Sequence, residues 1–483
     1  MNLFARLPCP GVERPRVRCR RLGALALLVL AGPFSVGCDE DAPTGPTLPS
    51  AWGEADLTRY VAVGNSLTMG VVDGALVEEG SECSFPQLLA DQAGIEDFRV
   101  PRFENPGIVA FPPDEVGQLD AGRMRLVSLD PPVIERSAPA GPPLNQDLER
   151  PFDNLGVSNA ILAEAPVARD GATSPTGNSL FDVVHRGEGT WAELVAEREA
   201  TFVTLGLGVN DVFVWAGAGG VDELAPGLPT PVATFESVYA DLLSDLLGVT
   251  DQVVVMNLFD VVGLAEAIGL PPVVVDPATG EPVLDEDGDP IPLLGPDGPL
   301  GPGAILLLSA TDLLAQGIGI PEPLGGTGEP LPDAVILDAE EFEKTDRFLR
   351  DYNEVIERLA AEAGVPVVDF FGWTRDVLLD EGVPAGDRRL TPEFLTGGFF
   401  GLDGVHPTCQ GYGAMANQLI ATVNEAFGAG LEPVELSELQ GVPVPASLRA
   451  EFEARSRAGS PLGLPRFEPA RSAGNPAEAQ LLP

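Results

Sequence analysis

Basic residues are scarce in this sequence. Of 483 residues, 28 are Lys or Arg against 73 Asp or Glu, a formal net charge of −45, and Lys344 is the one lysine. A surface this acidic repels phosphate backbones and anionic headgroups, which excludes nucleic acid as a partner. Histidine is scarcer still, with His185 and His406 alone, so chemistry that needs an imidazole has two candidates. Internal repeats are missing, and so is any long apolar run: the longest near the start, 22–31, is too short to span a bilayer comfortably. "DEDGD" (285–289) lacks the spacing and distal Glu of an EF-hand and reads as a solvated acidic turn. What the chain does have is 44% hydrophobic residues, enough for a sizeable core, in one large domain with insertions or in two domains. Its 56 Gly and 48 Pro, about a fifth of the chain, imply many turns and long excursions between regular elements.

Residues 1–37 read as an export signal: a basic head with Arg14, Arg16, Arg18, Arg20 and Arg21, then the apolar run. The run ends in "FSVGCDE", where small residues precede Cys38. This resembles the lipobox of bacterial lipoproteins, whose cysteine becomes the lipidated first residue, with Ser35 standing where Leu is usual. The chain is therefore expected in the periplasm or at the cell surface, anchored to a membrane through Cys38. Removing 1–37, with six Arg and one Glu, lowers the 28 basic residues to 22 and the 73 acidic ones to 72, a net charge of −50. Residues 38–57 read as an acidic, proline-containing tether.

Beyond the tether, β-rich apolar runs at 60–63, 201–207, 253–259 and 365–371 alternate with helical patterns. Phe342, Thr345, Phe348, Tyr352, Ile356 and Leu359 line one face of a helix over 340–363 that stops at Gly364. Further helices are expected over about 412–427 and from Thr234, as N-cap, to Leu247. Continuously apolar strands alternating with amphipathic helices imply an α/β fold with a parallel sheet covered on both faces. Ligands of such sheets bind at the carboxyl ends of the strands. Two segments break the rhythm: a Pro-rich, irregular stretch over 99–150, and 263–338, which contains a hairpin pattern around 285–289. The apolar run "AILLLSATDLLA" (304–315) in the latter reads either as a cap over a lipid-ester pocket or as a helix packed on the core. Residues 429–483 form an Ala/Pro-rich tail that reads as a surface wrap or partial disorder.

In "YVAVGNSLTMG" a buried strand breaks into Gly64-Asn65-Ser66, presenting a serine at its carboxyl end. A serine becomes a nucleophile beside a base held by a third group. His406, in "GLDGVHPT", follows Asp403 by three residues, a spacing at which the Asp can accept a hydrogen bond from Nδ1–H and leave Nε2 for Ser66. Taken alone, the segment also reads as a charged turn before a helix. His185, in "FDVVHRGEGT", has no carboxylate at a telling spacing and reads as a loop or surface residue. "GLGVNDVF" places Asn210 just past another strand, where its amide can donate to a developing oxyanion.

Taken in order, "GNSLT", "GVND" and "DGVHP" resemble the SGNH (GDSL-type) hydrolase family, over about 58–428 with the two insertions matching least. The resemblance implies a three-layer α/β/α sandwich with a flavodoxin-like, doubly wound parallel sheet and long insertions. It also implies Ser66 as nucleophile, His406 as general base and then acid, Asp403 as its orienting partner, and no metal or organic cofactor. The oxyanion hole it implies combines the Ser66 N–H, the Asn210 amide and an N–H from a second block. That block is best matched by "FDNLGVSNAIL", with Asn159 where glycine is usual; Asn tolerates left-handed backbone better than most residues. Gly107, in "ENPGIVAF", is a poorer match for the same role. Asn65 replaces the motif's Asp and keeps one acceptor.

The resemblance also sets side by side the helices that follow Cys83 and Cys409. In an oxidising compartment those two cysteines are expected to pair, the alternative being two separate buried thiols. The function expected is an exported serine esterase acting on acyl-lipid or acetylated-glycan esters. The other reading is a surface lipoprotein of the same fold that binds a glycan or lipid without turnover.

Overall fold

The computed structural model describes residues 49–109, 122–137, 143–276, 280–458 and 465–468. The signal segment 1–37, Cys38 and most of the tether lie outside them.

Five short strands build the central sheet: β1 (Tyr60–Gly64), β2 (Asn154–Gly156), β3 (Phe202–Gly206), β4 (Val253–Met256) and β5 (Val367–Val368). All pairings are parallel, in the order β5-β4-β3-β1-β2. Read from β2, this is the flavodoxin-like order 2-1-3-4-5, whose topological switch lies between β1 and β3. Period-two alternation explains why these strands read as continuously apolar. Val61 and Val63 enter one core with Leu155, Val203 and Val255, while Tyr60 and Ala62 enter a second with Phe202, Val254 and Met256.

Helices close both faces. On the first lie α3 (Val232–Leu247) and α5 (Ala339–Ala363), through Phe235, Tyr239, Tyr352 and Ile356. On the second lie α1 (Phe85–Ala93) and α6 (Cys409–Phe427), through Leu89, Met415 and Leu419. The result is a three-layer α/β/α sandwich. Two further helices leave the carboxyl edge: α2 (Asn210–Gly217) after β3, and α4 (Val261–Ile268) after β4. α5 is started by Asp338, whose carboxylate accepts from Glu341 N while the Glu341 side chain accepts from Asp338 N, and is stopped by a left-handed Gly364.

Several local expectations are corrected. α3 begins at Val232 rather than at a Thr234 cap, because the Pro231 carbonyl accepts the N–H of both Thr234 and Phe235. β5 stops at Val368, where Asp369 caps a helical turn by accepting from Gly372 N. The stretch 99–150 contains an antiparallel hairpin, Met124–Leu129 with Pro132–Arg136, to which Arg466–Glu468 adds in parallel. Its prolines sit mainly outside those strands, so composition hid the pairing. Within 263–338 the turn at 285–289 is held by Asp285 Oδ1, which accepts from the N–H of Asp287 and Asp289. The segment has a small core of its own, centred on Leu270, Leu293, Leu306, Leu331 and Ile336. Past α6, Leu431, Val434 and Leu436 are buried, and Asn417 and Asn424 bond the backbone of Val434 and Leu431.

A disulfide joins Cys83 to Cys409, with Cα atoms 5.3 Å apart and a sequence separation of 326. Cys83 ends a short helix of its own (Glu78–Cys83) and Cys409 is the first residue of α6. Closing so long a loop restricts the unfolded chain, an effect on the order of 2–5 kcal/mol. The double variant Cys83→Ala/Cys409→Ala is therefore expected to lose about that much unfolding free energy and to unfold at lower urea, with the slope of the transition showing whether the unfolded state has expanded.

Candidate active site

The carboxyl edge is level at its centre. Gly64 pairs with Gly206 on one side and Gly156 on the other, so the chain leaves β1, β2 and β3 at the same height. After β1 it turns at once into a short helix, Ser66–Met69. Asn65 caps this helix by accepting from Leu67 N at 3.0 Å, a role for which one side-chain acceptor is enough. A Cβ on Gly156 would stand 2.4 Å from Met69 N, and one on Gly64 would stand 1.9 Å from Thr68 Oγ1. Glycine at both places lets the serine turn settle on the sheet.

His406 comes from the loop before α6. Its Nδ1–H donates to Asp403 Oδ2 at 2.7 Å, while Asp403 Oδ1 accepts from the N–H of Val405 and of His406 at 3.0 and 2.9 Å. Burial acts to raise the Asp403 carboxyl, but the neighbouring imidazole and these hydrogen bonds outweigh it and hold the group below the usual carboxylate range. The ring is thereby oriented through Nδ1.

The oxyanion candidates come from the segments that follow β2 and β3. Asn159 follows β2 with φ of +64°, a left-handed conformation that Asn adopts at low cost. Asn210 is the first residue of α2. One amide hydrogen of its Nδ2 donates to Ala160 O at 2.9 Å, which ties it to the Asn159 segment and leaves the second hydrogen. Ser66, Asn159, Asn210, Asp403 and His406 all line one cavity of about 310 Å³. Gly107 is not on its wall and instead packs against Leu76 O. The remaining wall is overwhelmingly apolar. Phe213, Val262, Leu264 and Ile268 come from α2 and α4, Ile305 to Leu308 from the 263–338 insertion, and Phe399 and Phe400 from the loop before His406. The run 304–315 is a two-residue strand followed by short helical turns; it walls the cavity through Ile305 to Leu308 and packs Leu306 and Ala310 in the insertion's own core.

The other histidine is corrected. His185 is not a surface residue but fully buried, edge-on to Phe181 and Trp191, with Nδ1 3.1 Å from Ala168 O. Burial pushes it down to about 4, so it is neutral at ordinary pH. It does not reach the cavity.

Sequence reasoning missed a set of buried carboxylates behind the site. Asp211, next to Asn210, accepts from Leu162 N at 2.9 Å and Thr230 Oγ1 at 2.6 Å. Glu164 accepts from Ile161 N, Ser174 Oγ and Thr176 Oγ1. Asp211 anchors the 159–164 segment to α2, and Glu164 ties it to residues 174–176. Asp73 accepts from Leu402 N at 2.9 Å and pairs with Arg123 at 2.7 Å, bracing the loop that carries Asp403 and His406. Their only signal was position beside a motif or in an Asp-Gly turn, which says nothing about long-range partners. Among the described residues no three His, Cys, Asp or Glu side chains group to hold a metal ion, and no helix is long and apolar enough to cross a membrane.

A serine, a carboxylate-held imidazole and two asparagines at the switch point of a doubly wound sheet are the arrangement expected of a serine hydrolase. The chain belongs to the GDSL-like lipase/acylhydrolase family, whose model matches residues 60–419, and its function is of the esterase or lipase type. A solved structure, LAE5, an alpha/beta hydrolase enzyme from the metagenome of Lake Arreo, Spain, is similar at 11% identity and a TM-score of 0.31, covering 77% of this chain and 98% of that one. No match is found among curated proteins.

Asp211 has a measurable signature. Burial is the main cause that pushes its carboxyl up, to about 7, with Glu164 adding to it and the Thr230 and Leu162 bonds opposing. A carboxyl raised in the folded state stabilises below its unfolded value, near 4, and that stability is lost as pH rises towards 7. The loss is on the order of 4 kcal/mol at ~1.4 kcal/mol per pKa unit. Asn at this position can still accept from Leu162 and donate to Thr230. Asp211→Asn should therefore gain stability relative to the parent as urea unfolding is moved from pH 4.5 to 7.5, and a constant difference would contradict the assignment.

Proposed function

We propose that this protein is an exported, lipid-anchored serine esterase that hydrolyses carboxylic esters of apolar acyl chains through an acyl-Ser66 intermediate. The observation that carries the reading is the cavity: the five polar groups of a hydrolytic site line a space whose other walls are mainly apolar side chains.

In the proposed reaction, His406 Nε2 takes the Ser66 Oγ proton as the oxygen attacks the ester carbonyl. The resulting oxyanion accepts hydrogen bonds from Ser66 N–H, Asn159 N–H and Asn210 Nδ2, each donor of this kind contributing about 2.7–4 kcal/mol in a well-built hole. Collapse breaks the bond to the alkoxy group, which leaves as the alcohol with the proton held by His406. Water then attacks the acyl-serine, giving its proton to the same nitrogen, and the acid departs as Ser66 Oγ regains a hydrogen. Asp403 keeps the ring oriented and stabilises the imidazolium throughout.

The walls favour an acyl chain over an acetylated glycan, since sugar hydroxyls would find few partners there. Each buried methylene contributes up to ~0.8 kcal/mol, so an octanoyl ester should exceed an acetyl ester by at least tenfold in kcat/KM. Ser66→Ala and His406→Ala should each lower kcat by about 10³-fold or more without unfolding, and Asp403→Asn by less, because the three act as a unit. Retention of most activity by Ser66→Ala would remove the nucleophile assignment, and equal rates on the two esters would remove the acyl-chain reading.

Export is supported by the signal-like segment 1–37 and by the Cys83–Cys409 disulfide, since such bonds persist in oxidising compartments. Anchoring rests on the lipobox-like "FSVGCDE". Cys38→Ser is expected to move the protein from the membrane pellet to the soluble fraction of a bacterial host. Continued sedimentation would overturn the lipid anchor.

A further inference from the structure

The catalytic cavity does not end where its volume ends. A second cavity of about 650 Å³ lies beyond it, between the end of α4, the insertion strand Ile305–Leu306 and the start of α5. Gly269, Ile305 and Phe342 line both spaces, so they form the partition between them. The partition is thin and tightly packed. A Cβ on Gly269 would stand 2.3 Å from Ile305 Cγ2, and the backbone of Leu270 is bonded in both directions to that of Leu306. The backbone wall is thereby fixed, and side chains decide what passes. The far space has a buried apolar wall in Leu270 and Ala304, and opens to solvent past exposed Glu266, Pro271 and Glu343.

We propose that Ile305 and Phe342 set the length of acyl chain the enzyme accepts, and that the second cavity is a distal subsite for the tail of chains that pass them. This rests on the acyl-chain reading of the site above. A methyl-terminated tail suits the subsite, because its inner wall is apolar and its acidic rim needs only water. Chains short enough to end at the partition fit the first cavity alone, and longer ones must displace the Ile305 or Phe342 side chain.

Ile305 is the residue to test first, being half-buried and at the end of a two-residue strand, where truncation disturbs the core least. Isothermal titration of octanoate and of tetradecanoate into the full chain carrying Ser66→Ala measures chain-length preference without turnover. Ile305→Ala, and separately Phe342→Leu, each added to that background and checked for cooperative thermal unfolding, should raise the tetradecanoate-to-octanoate affinity ratio threefold or more. In the chains with Ser66 intact, the ratio of kcat/KM on the corresponding esters should move in the same direction. A change below threefold in both variants overturns the gate. If that result comes with Ser66-dependent hydrolysis of octanoyl esters, the esterase reading survives and the gate alone falls. Failure of either acid to bind any of the chains overturns the gate together with the acyl-chain site.

Discussion

The closeness with which the serine turn lies on the sheet governs the geometry of everything around it. Gly64 and Gly156 face Thr68 and Met69 at distances no Cβ could occupy, so the short helix from Ser66 settles directly over the ends of β1 and β2. That contact sets the height of Ser66 against Asn159 and Asn210, because the three strands leave the sheet in register. It also leaves the space above the switch point to be walled by later parts of the chain. Those parts are α2, α4, the insertion strand Ile305–Leu306 and the loop holding His406. A larger residue at either glycine would lift Ser66 and change each of these relations together.

The machinery is braced in a manner that fits the composition. With 73 acidic residues and a single lysine, the protein satisfies its buried carboxylates mostly with backbone N–H groups, hydroxyls and arginine. Asp403 takes two N–H groups and the imidazole, Asp211 one N–H and a threonine, Glu164 one N–H and two hydroxyls, and Asp73 one N–H and Arg123. Buried carboxylates are costly unless so satisfied. Asp403 orders the turn that holds His406, while Asp211, Glu164 and Asp73 tie site-bearing segments to more distant parts of the chain. The disulfide adds a covalent tie on the His406 side, at the first residue of α6.

Periodicity and short motifs made a good part of this legible beforehand. β1, β3 and β4 are apolar on both faces and stood out as runs, and α5 carried its own stripe and stop. Asp403 and His406 are three residues apart in one turn, so local spacing reveals their contact. β2 did not stand out as a strand because only three residues pair, and the hairpin within 99–150 was masked by surrounding prolines. His185 was misread because the rings that bury it, Phe181 and Trp191, are recognisable as its shell only when folded. The carboxylate braces and the partition at Ile305 and Phe342 depend on contacts between residues tens to hundreds of positions apart. No local pattern encodes those.

The central claim is that Ser66 is an activated nucleophile in an acyl-binding cavity. Labelling the intact protein with an octyl fluorophosphonate, followed by peptide mapping, tests it most directly, since only a serine with a working base reacts quickly. The account predicts one adduct, on the peptide containing Ser66, that is slowed by orders of magnitude in His406→Ala and suppressed by excess octanoate. Rapid labelling that persists in His406→Ala, or an adduct on any other serine, would contradict it.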